Sequence, residues 1–250
     1  MIKCYAIIVA YDGTGFYGWV PQPGLPTIAQ VMQDTFYAIF RQKIALVGAS
    51  RTDAGVHSLG QVVRFHADID LCVDTIKKVW NARLPESIVI RSLEEFSENS
   101  FNPFYAIAYK TYYYHFFLDR PLPFLSRYGL YVPSMGDLSR VDQVLQLFVG
   151  THDFTSFSTG MPIGDNPICR IDSIHLSYFK RFNTYQISIT GNRFLRHMVR
   201  RFVGAAFLIA EKKARVSIDE VAVIFDQKKI NSLLPTAPAK GLLLYKICYK

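Results

Sequence analysis

The stretch GASRTDAGVHSLGQVVRFHA, residues 48–67, sets the reading of the chain. Its second half alternates: Val63, Phe65 and Ala67 face one way and Arg64, His66 and Asp68 the other, the pattern of a half-buried strand. Its first half is a loop of small residues, Ala49, Ser50, Ala54 and Gly55, around two charges, Arg51 and Asp53. Side chains two apart in an extended segment project to the same side, and small neighbours let a ligand approach the backbone. Two readings of Asp53 stand at this point. One is a turn in which the carboxylate bonds its own backbone. The other is a reactive carboxylate, which needs a pocket dry enough to activate it and cations to keep it ionised.

Outward from this loop, the pattern is α+β. Residues 3–11 are β-prone and end in the turn-rich YDGTGFYGW. Ile28, Val31, Met32, Phe36, Ile39 and Phe40 recur at helical spacing behind Thr27, with Gln30 completing an expected capping box. Asp74 is expected to cap a second helix ending near Ala82, and Ile88–Leu93 reads as a strand. The polar, proline-containing 97–106 marks a boundary, giving an N-terminal α+β half at 1–105 and a C-terminal one at 106–250. YKTYYYHFFL, 109–118, is the most strand-like segment. Ser139 is expected to cap a helix with Val141, Val144, Leu145 and Phe148 inward, and 159–167 is a loop. Strands 171–179 and 184–190 form a hairpin about KRFN. A long helix is expected over Arg193–Ala210, a capped one at Ser217 and Glu220, and a closing strand over Leu243–Tyr249.

The long helix offers the cations. Leu195, Met198, Val199 and Phe202 form its expected apolar stripe, and Arg193, Arg196, Arg200 and Arg201 its remaining surface. Arg200, next to the stripe, is placed at the edge of the core, where a guanidinium needs a carboxylate. Arg193 and Arg196 read as a solvated, phosphate-binding face. The whole chain has 250 residues, a net charge of +8 and 14% aromatic residues, a composition that suits a polyanion with stackable bases and equally a basic enzyme with an aromatic core. Cys4, Cys72, Cys169 and Cys248 show no C-x-x-C spacing, which argues against a zinc site and fits a reducing cytoplasm. No apolar run approaches a membrane span, and the first apolar run reads as a strand, not a signal peptide. There is no G-x-S-x-G, P-loop or H-E-x-x-H, the glycines of YDGTGFYGW (Gly13, Gly15 and Gly18) precede no immediate helix, and a bare aspartate nucleophile is the most economical chemistry left.

YDGTGFYGW, RTDAGVHSLGQVVRF, NARLP, KTYYY, GTHDFTSF, FLRHMVRRFVGA and APAKGLLLYKICY, in this order from Tyr11 to Tyr249, resemble the blocks of the TruA-like tRNA pseudouridine synthases. The resemblance implies two α+β halves whose sheets join across an active-site cleft, and a homodimer that holds tRNA. It also implies a reaction without metal or organic cofactor, on uridines of the 3′ side of the anticodon stem-loop. By the same resemblance Asp53 is the nucleophile, Arg51 helps displace the flipped base and Tyr112 stacks on the uracil. Arg200 pairs with the aspartate, and Leu242 lines the pocket. Read as a strand alone, Tyr112 and Leu242 are equally packing residues, and Tyr109, Tyr113 and Tyr114 are expected to fill the core. Three departures bear on RNA contacts: Ser50 where the family has Gly, Val20 in place of Gln after GW, and Phe101-Asn102-Pro103-Phe104 in place of FHAR.

Two other functions fit parts of the pattern. A non-catalytic tRNA-binding protein of the same fold would have no use for a carboxylate that repels RNA. A nucleoside hydrolase would ordinarily pair Asp53 with a second carboxylate, and none stands near it in sequence.

Overall fold

The computed structural model describes residues 2–96, 101–160, 166–211, 217–229 and 234–250. Parts of the expected linker at 97–106 and of the expected loop at 159–167 lie outside them. The chain forms two compact units, Met1–Ala108 with Leu243–Lys250, and Tyr109–Leu242.

In the first unit, β1 (Lys3–Tyr11) is followed by α1 (Ile28–Phe40), β2 (Val47–Gly48), β3 (His57–Ala67), α2 (Val73–Asn81) and β4 (Ile88–Phe96). β1 pairs antiparallel with β3 and with β4, and β2 antiparallel with β3. Alternation puts Tyr5, Ile7, Val9 and Tyr11 of β1 and Phe65 of β3 in one core with Met32 and Phe36 of α1 and Trp80 of α2. Tyr5 stacks on Phe65 at 5.0 Å, and Trp80 meets Phe36 edge-on at 4.8 Å. Edge-to-face aromatic pairs add about 0.5–1.5 kcal/mol each beyond the area they bury.

The second unit holds β5 (Ile107–Phe117), β6 (Leu130–Tyr131), α3 (Leu138–Gln146), β7 (Gly150–Asp153), β8 (Ile168–Phe179), β9 (Thr184–Gly191), α4 (Met198–Ala210) and α5 (Ile218–Asp226). Its sheet runs β5-β9-β8-β7, all antiparallel, with β6 parallel to β5. The hairpin at KRFN forms as expected, with Asn183 in the left-handed conformation (φ 46°) closing it. Phe148 stacks on Phe202 at 4.2 Å, with Phe154 and Phe157 around them. The chain then returns to the first unit as β10 (Leu242–Tyr249), which the sequence places in the second half. It runs parallel to β3, Leu243 opposite His57. Gly60 permits this approach, because a Cβ there would lie 2.4 Å from the Tyr245 carbonyl.

Several helix ends differ from expectation, each because something other than the expected side chain satisfies the backbone. Thr27 precedes α1 but makes no capping bond, and Gln30 bonds Asp34 instead. The amides of Ile28 and Ala29 donate to the carbonyls of Gly18 and Trp19, so the preceding loop caps this helix and the Thr27 hydroxyl is buried without a partner. Cys72, not Asp74, is the N-cap of α2, and Asp74 lies in its first turn. Asp137, not Ser139, caps α3 by accepting the Ser139 amide at 2.8 Å. The expected capping box of Ser217 and Glu220 is present in α5.

The largest difference is in α4, which begins at Met198 and not at Arg193. The Leu195 amide donates to Met198 Sδ, the Arg196 carbonyl accepts from Thr159, and His197 takes φ 61° with its Nδ1 bonded to the Thr159 hydroxyl at 2.6 Å. Arg193 and Arg196 are therefore loop residues. α4 is apolar nearly all round, and Arg201, expected on its outer surface, is buried with Nη2 at 3.4 Å from the Ser156 carbonyl. Burial lowers its guanidinium from the usual range.

Candidate active site

Residues 50–56 are held as a short loop by a dense set of bonds. Ser50 is gripped twice by the buried Gln61: the carboxamide oxygen accepts its amide at 3.1 Å and the carboxamide nitrogen donates to its carbonyl at 2.5 Å. The Thr52 carbonyl accepts the Trp19 amide at 3.1 Å, and its hydroxyl lies 2.7 Å from the buried Tyr11 hydroxyl. Gly18 is packed so closely that a Cβ would stand 2.6 Å from that same carbonyl, and its φ of 89° also favours glycine. The Gly55 amide donates to the Phe16 carbonyl, and the Val56 amide closes a turn onto the Asp53 carbonyl at 3.2 Å. Ser50 and Thr52 are thus buried, Arg51 is exposed and Asp53 is half-buried. Burial therefore alternates along the loop, with Arg51 and Asp53 less covered than their neighbours Ser50 and Thr52.

At the end of this stretch, His57 Nδ1 lies 3.1 Å from Asp12 Oδ1 and 3.1 Å from the Gly13 amide that donates to it. Neither this pair nor Gln61 was read from the sequence as part of the site. The available signal was a glutamine between apolar neighbours on a strand, and a histidine and an aspartate inside the two most glycine-rich motifs.

The remaining candidates lie in the second unit. Tyr112 is buried on β5, opposite Ile189 of β9, and meets Phe194 edge-on at 5.1 Å. Of the tyrosines expected to fill the core, only Tyr114 does so fully. Tyr109 and Tyr113 are half-buried on the other face of the strand. Tyr114 donates to the Pro238 carbonyl at 2.9 Å. Burial pushes its phenol well above the usual tyrosine range, against the pull of the Arg200 guanidinium. Arg200 is half-buried, as expected of a residue at the core edge. Its Nε donates to the Ala237 carbonyl at 2.7 Å, and its own carbonyl accepts the Ala237 amide at 3.0 Å. Gly204, one turn on, admits this segment, since a Cβ there would be 2.1 Å from the Pro235 carbonyl. Leu242 is buried where β10 begins.

Arg196 is exposed beside Gly160, and Arg193 is half-buried near Lys110. Lys110 was not read as a site residue. Burial, with the like charge of Arg193, brings its ammonium down from 10.5 to about 8. It stands two residues before Tyr112, on the same face of β5.

The departures at 101–104 have a structural use. Phe101 stacks on Phe96 and meets Tyr249 edge-on, its carbonyl accepts from Arg64, and the Tyr249 hydroxyl donates to the Pro103 carbonyl. An aromatic clasp occupies the place of the expected cationic segment. Val20 is exposed.

The family model for tRNA pseudouridine synthase matches residues 7–106 and 144–250. A tRNA pseudouridine synthase A of Thermodesulfovibrio yellowstonii is 36% identical over 251 residues, covering 96% of this chain and 97% of the relative. One from a Hydrogenobaculum species is 33% identical over 255 residues, with 99% and 100% covered, and one from a Thermotoga species 32% identical over 250, with 99% and 100% covered. The family model covers most of the chain, and relatives 32–36% identical cover nearly all of it: the chain belongs to the tRNA pseudouridine synthase family.

Proposed function

We propose that this isomerase converts uridine to pseudouridine in the anticodon stem-loop of tRNA, with Asp53 as its nucleophile. The observation that carries this reading is the loop at 50–56. Five backbone and side-chain bonds tie it to the rest of the first unit and a sixth closes its own turn, while Arg51 and Asp53 stay less covered than Ser50 and Thr52. A surface turn has no need of such restraint, whereas a reacting group must be held in a near-attack geometry.

The reaction breaks the glycosidic C–N bond, turns the uracil and joins C5 to C1′, and the hydrogen leaving C5 is replaced by one on nitrogen. An ionised carboxylate can hold one fragment covalently or stabilise the developing oxocarbenium charge while the base turns. The base must first leave its stack. In this reading Arg51 occupies the vacated space, Tyr112 stacks on the uracil, Leu242 lines its pocket, Arg200 keeps the carboxylate charged, and Arg193 and Arg196 contact phosphates. The enzyme works as a homodimer in the cytoplasm, without metal or organic cofactor.

The test is tritium release from a tRNA transcript labelled at uridine C5, comparing wild type with Asp53→Asn. Release by wild type alone supports the reading. Tight tRNA binding with no release by either protein points to a non-catalytic tRNA-binding protein. Equal release by both removes Asp53 from the chemistry.

A further inference from the structure

Two side chains that the proposed chemistry does not use, Asp12 and His57, meet at one imidazole nitrogen. His57 opens β3 and is 5% exposed, and its Nδ1 faces both the Asp12 carboxylate and the Gly13 amide at 3.1 Å. One nitrogen cannot serve both in the same way. It accepts the Gly13 N–H only while it carries a lone pair, and donates to Asp12 only while it carries the proton. Neither partner is at liberty to turn away. Asp12 Oδ1 also accepts the Thr14 amide at 2.9 Å, and Gly13 is packed so tightly that a Cβ would lie 2.1 Å from the Val56 carbonyl. Val56 is the residue whose amide closes the turn onto the Asp53 carbonyl. The competition for Nδ1 is therefore transmitted, through Gly13 and Val56, to the loop that carries Asp53.

We propose that His57 and Asp12 are positioning residues for Asp53, and that the proton on His57 Nδ1 sets how firmly the loop after β1 holds residues 53–56. The inference rests on Asp53 being the nucleophile. With Nδ1 unprotonated, the Gly13 N–H is satisfied and its contact on Val56 is firm. With Nδ1 protonated, the bond passes to Asp12, the Gly13 N–H faces another donor, and the contact slackens. Asp12 is the charged group that the described contacts place against the ring. β1 contributes Tyr11, whose hydroxyl is taken up by Thr52, β10 contributes the apolar Leu243, and Arg91 of β4 bonds the Leu59 carbonyl two residues along. Histidine ordinarily changes charge between about pH 5 and 8, so the device would act in the working range of the enzyme.

The test compares wild type, His57→Asn, His57→Leu, Asp12→Asn and Asp53→Asn. It measures C5 tritium release from pH 5.5 to 8.5, tRNA affinity by filter binding, and thermal unfolding. His57→Leu removes the acceptor and is expected to lower kcat about 10- to 100-fold, the scale of a misplaced reacting group, with little change in tRNA affinity. His57→Asn keeps an oxygen for the Gly13 N–H and cannot titrate. It should recover most of that rate and lack the fall in kcat that is expected of wild type below pH 7. Asp12→Asn withdraws the charge that favours the imidazolium and should move that fall to lower pH. Equal rates for the Asn and Leu variants, or superimposable pH profiles for wild type and His57→Asn, overturn the inference. Should His57→Leu not fold, the profile comparison with His57→Asn decides alone. Activity in Asp53→Asn would instead remove the reading beneath it, independently of the His57 results.

Discussion

Gln61→Leu isolates what the tether of the Asp53 loop is worth. β2 ends at Gly48, and the main-chain ladder reaches the Ala49 amide, which donates to the Val62 carbonyl at 2.8 Å. Beyond that point the Gln61 carboxamide replaces the missing rung, pairing with both backbone groups of Ser50, the residue before Arg51. Gln61 is fully buried and Ser50 is 7% exposed. Leucine has nearly the same volume, so the substitution opens little cavity and removes the two bonds. Each buried backbone group left unsatisfied costs about 1–3 kcal/mol, which gives roughly 2–6 kcal/mol for the pair. Water that reaches the open side of the loop should hold the loss to the lower half, about 2–4 kcal/mol.

The assay is urea unfolding followed by tryptophan fluorescence. The chain has two tryptophans, Trp19 and Trp80, and both are buried in the first unit, so the signal reports the unit that contains the loop. With a urea slope of about 1–3 kcal/mol per molar, the midpoint should fall by about 1–2 M. Gln61→Glu supplies an internal check. Burial raises the new carboxyl above its unfolded value, so the folded state binds more protons than the unfolded one and stability is lost as pH rises. The Glu variant should therefore be weakest at neutral pH and regain part of its stability toward pH 5, where the protonated carboxyl again donates to the Ser50 carbonyl. A loss under about 0.5 kcal/mol for Gln61→Leu, within the range of ordinary surface substitutions, would refute the claim that this carboxamide holds the loop.

Thr27→Val should stabilise the protein by about 0.5–1 kcal/mol in the same urea assay, because it removes a buried hydroxyl without a partner from a residue whose extended backbone suits valine. Lys110→Met should stabilise by about 1–3 kcal/mol at pH 7, since a shift from 10.5 to about 8 corresponds to at most roughly 3 kcal/mol. The unfolded lysine keeps its proton through that window, so wild-type stability rises from about pH 8 to 10.5 and the advantage of the Met variant shrinks over the same range. Arg200→Ala is expected to lose activity in the tritium assay while keeping most tRNA affinity, and equal losses would make Arg200 a phosphate contact. Binding of tRNA should weaken steeply between low and moderate salt, and a flat dependence measured by filter binding would contradict recognition through phosphates.

The sequence disclosed what depends on local periodicity and on short-range chemistry. β3 was legible because alternate residues face a core on one side, the hairpin because Asn183 tolerates a left-handed turn, and α5 because its capping box lies within four residues. It did not disclose backbone groups satisfied from a distance. Thr27 followed by Gln30 has every feature of a capping box, yet the carbonyls that cap α1 come from a loop ten residues earlier. The start of α4 was misplaced for the same reason. Periodicity extends to Arg193, but Thr159, far off in sequence, takes the Arg196 carbonyl and the His197 ring. Arg201 was assigned to a basic face because charge ordinarily implies solvent, and its burial follows only once the Ser156 segment is packed on the helix.

The site divides along the same line. That Arg51 and Asp53 share a side follows from the two-residue period of an extended segment, which needs no knowledge of the fold. That the loop carrying them is tethered follows from contacts of Tyr11, Phe16, Gly18, Trp19 and Gln61, none of them charged at neutral pH and most of them apolar or glycine. A search for catalytic residues by chemical type passes over all five. In the proposed reading the charged residues name the chemistry, and the uncharged ones, through the alternation of buried Ser50 and Thr52 with the less covered Arg51 and Asp53, supply the fixed geometry that separates this loop from an ordinary surface turn.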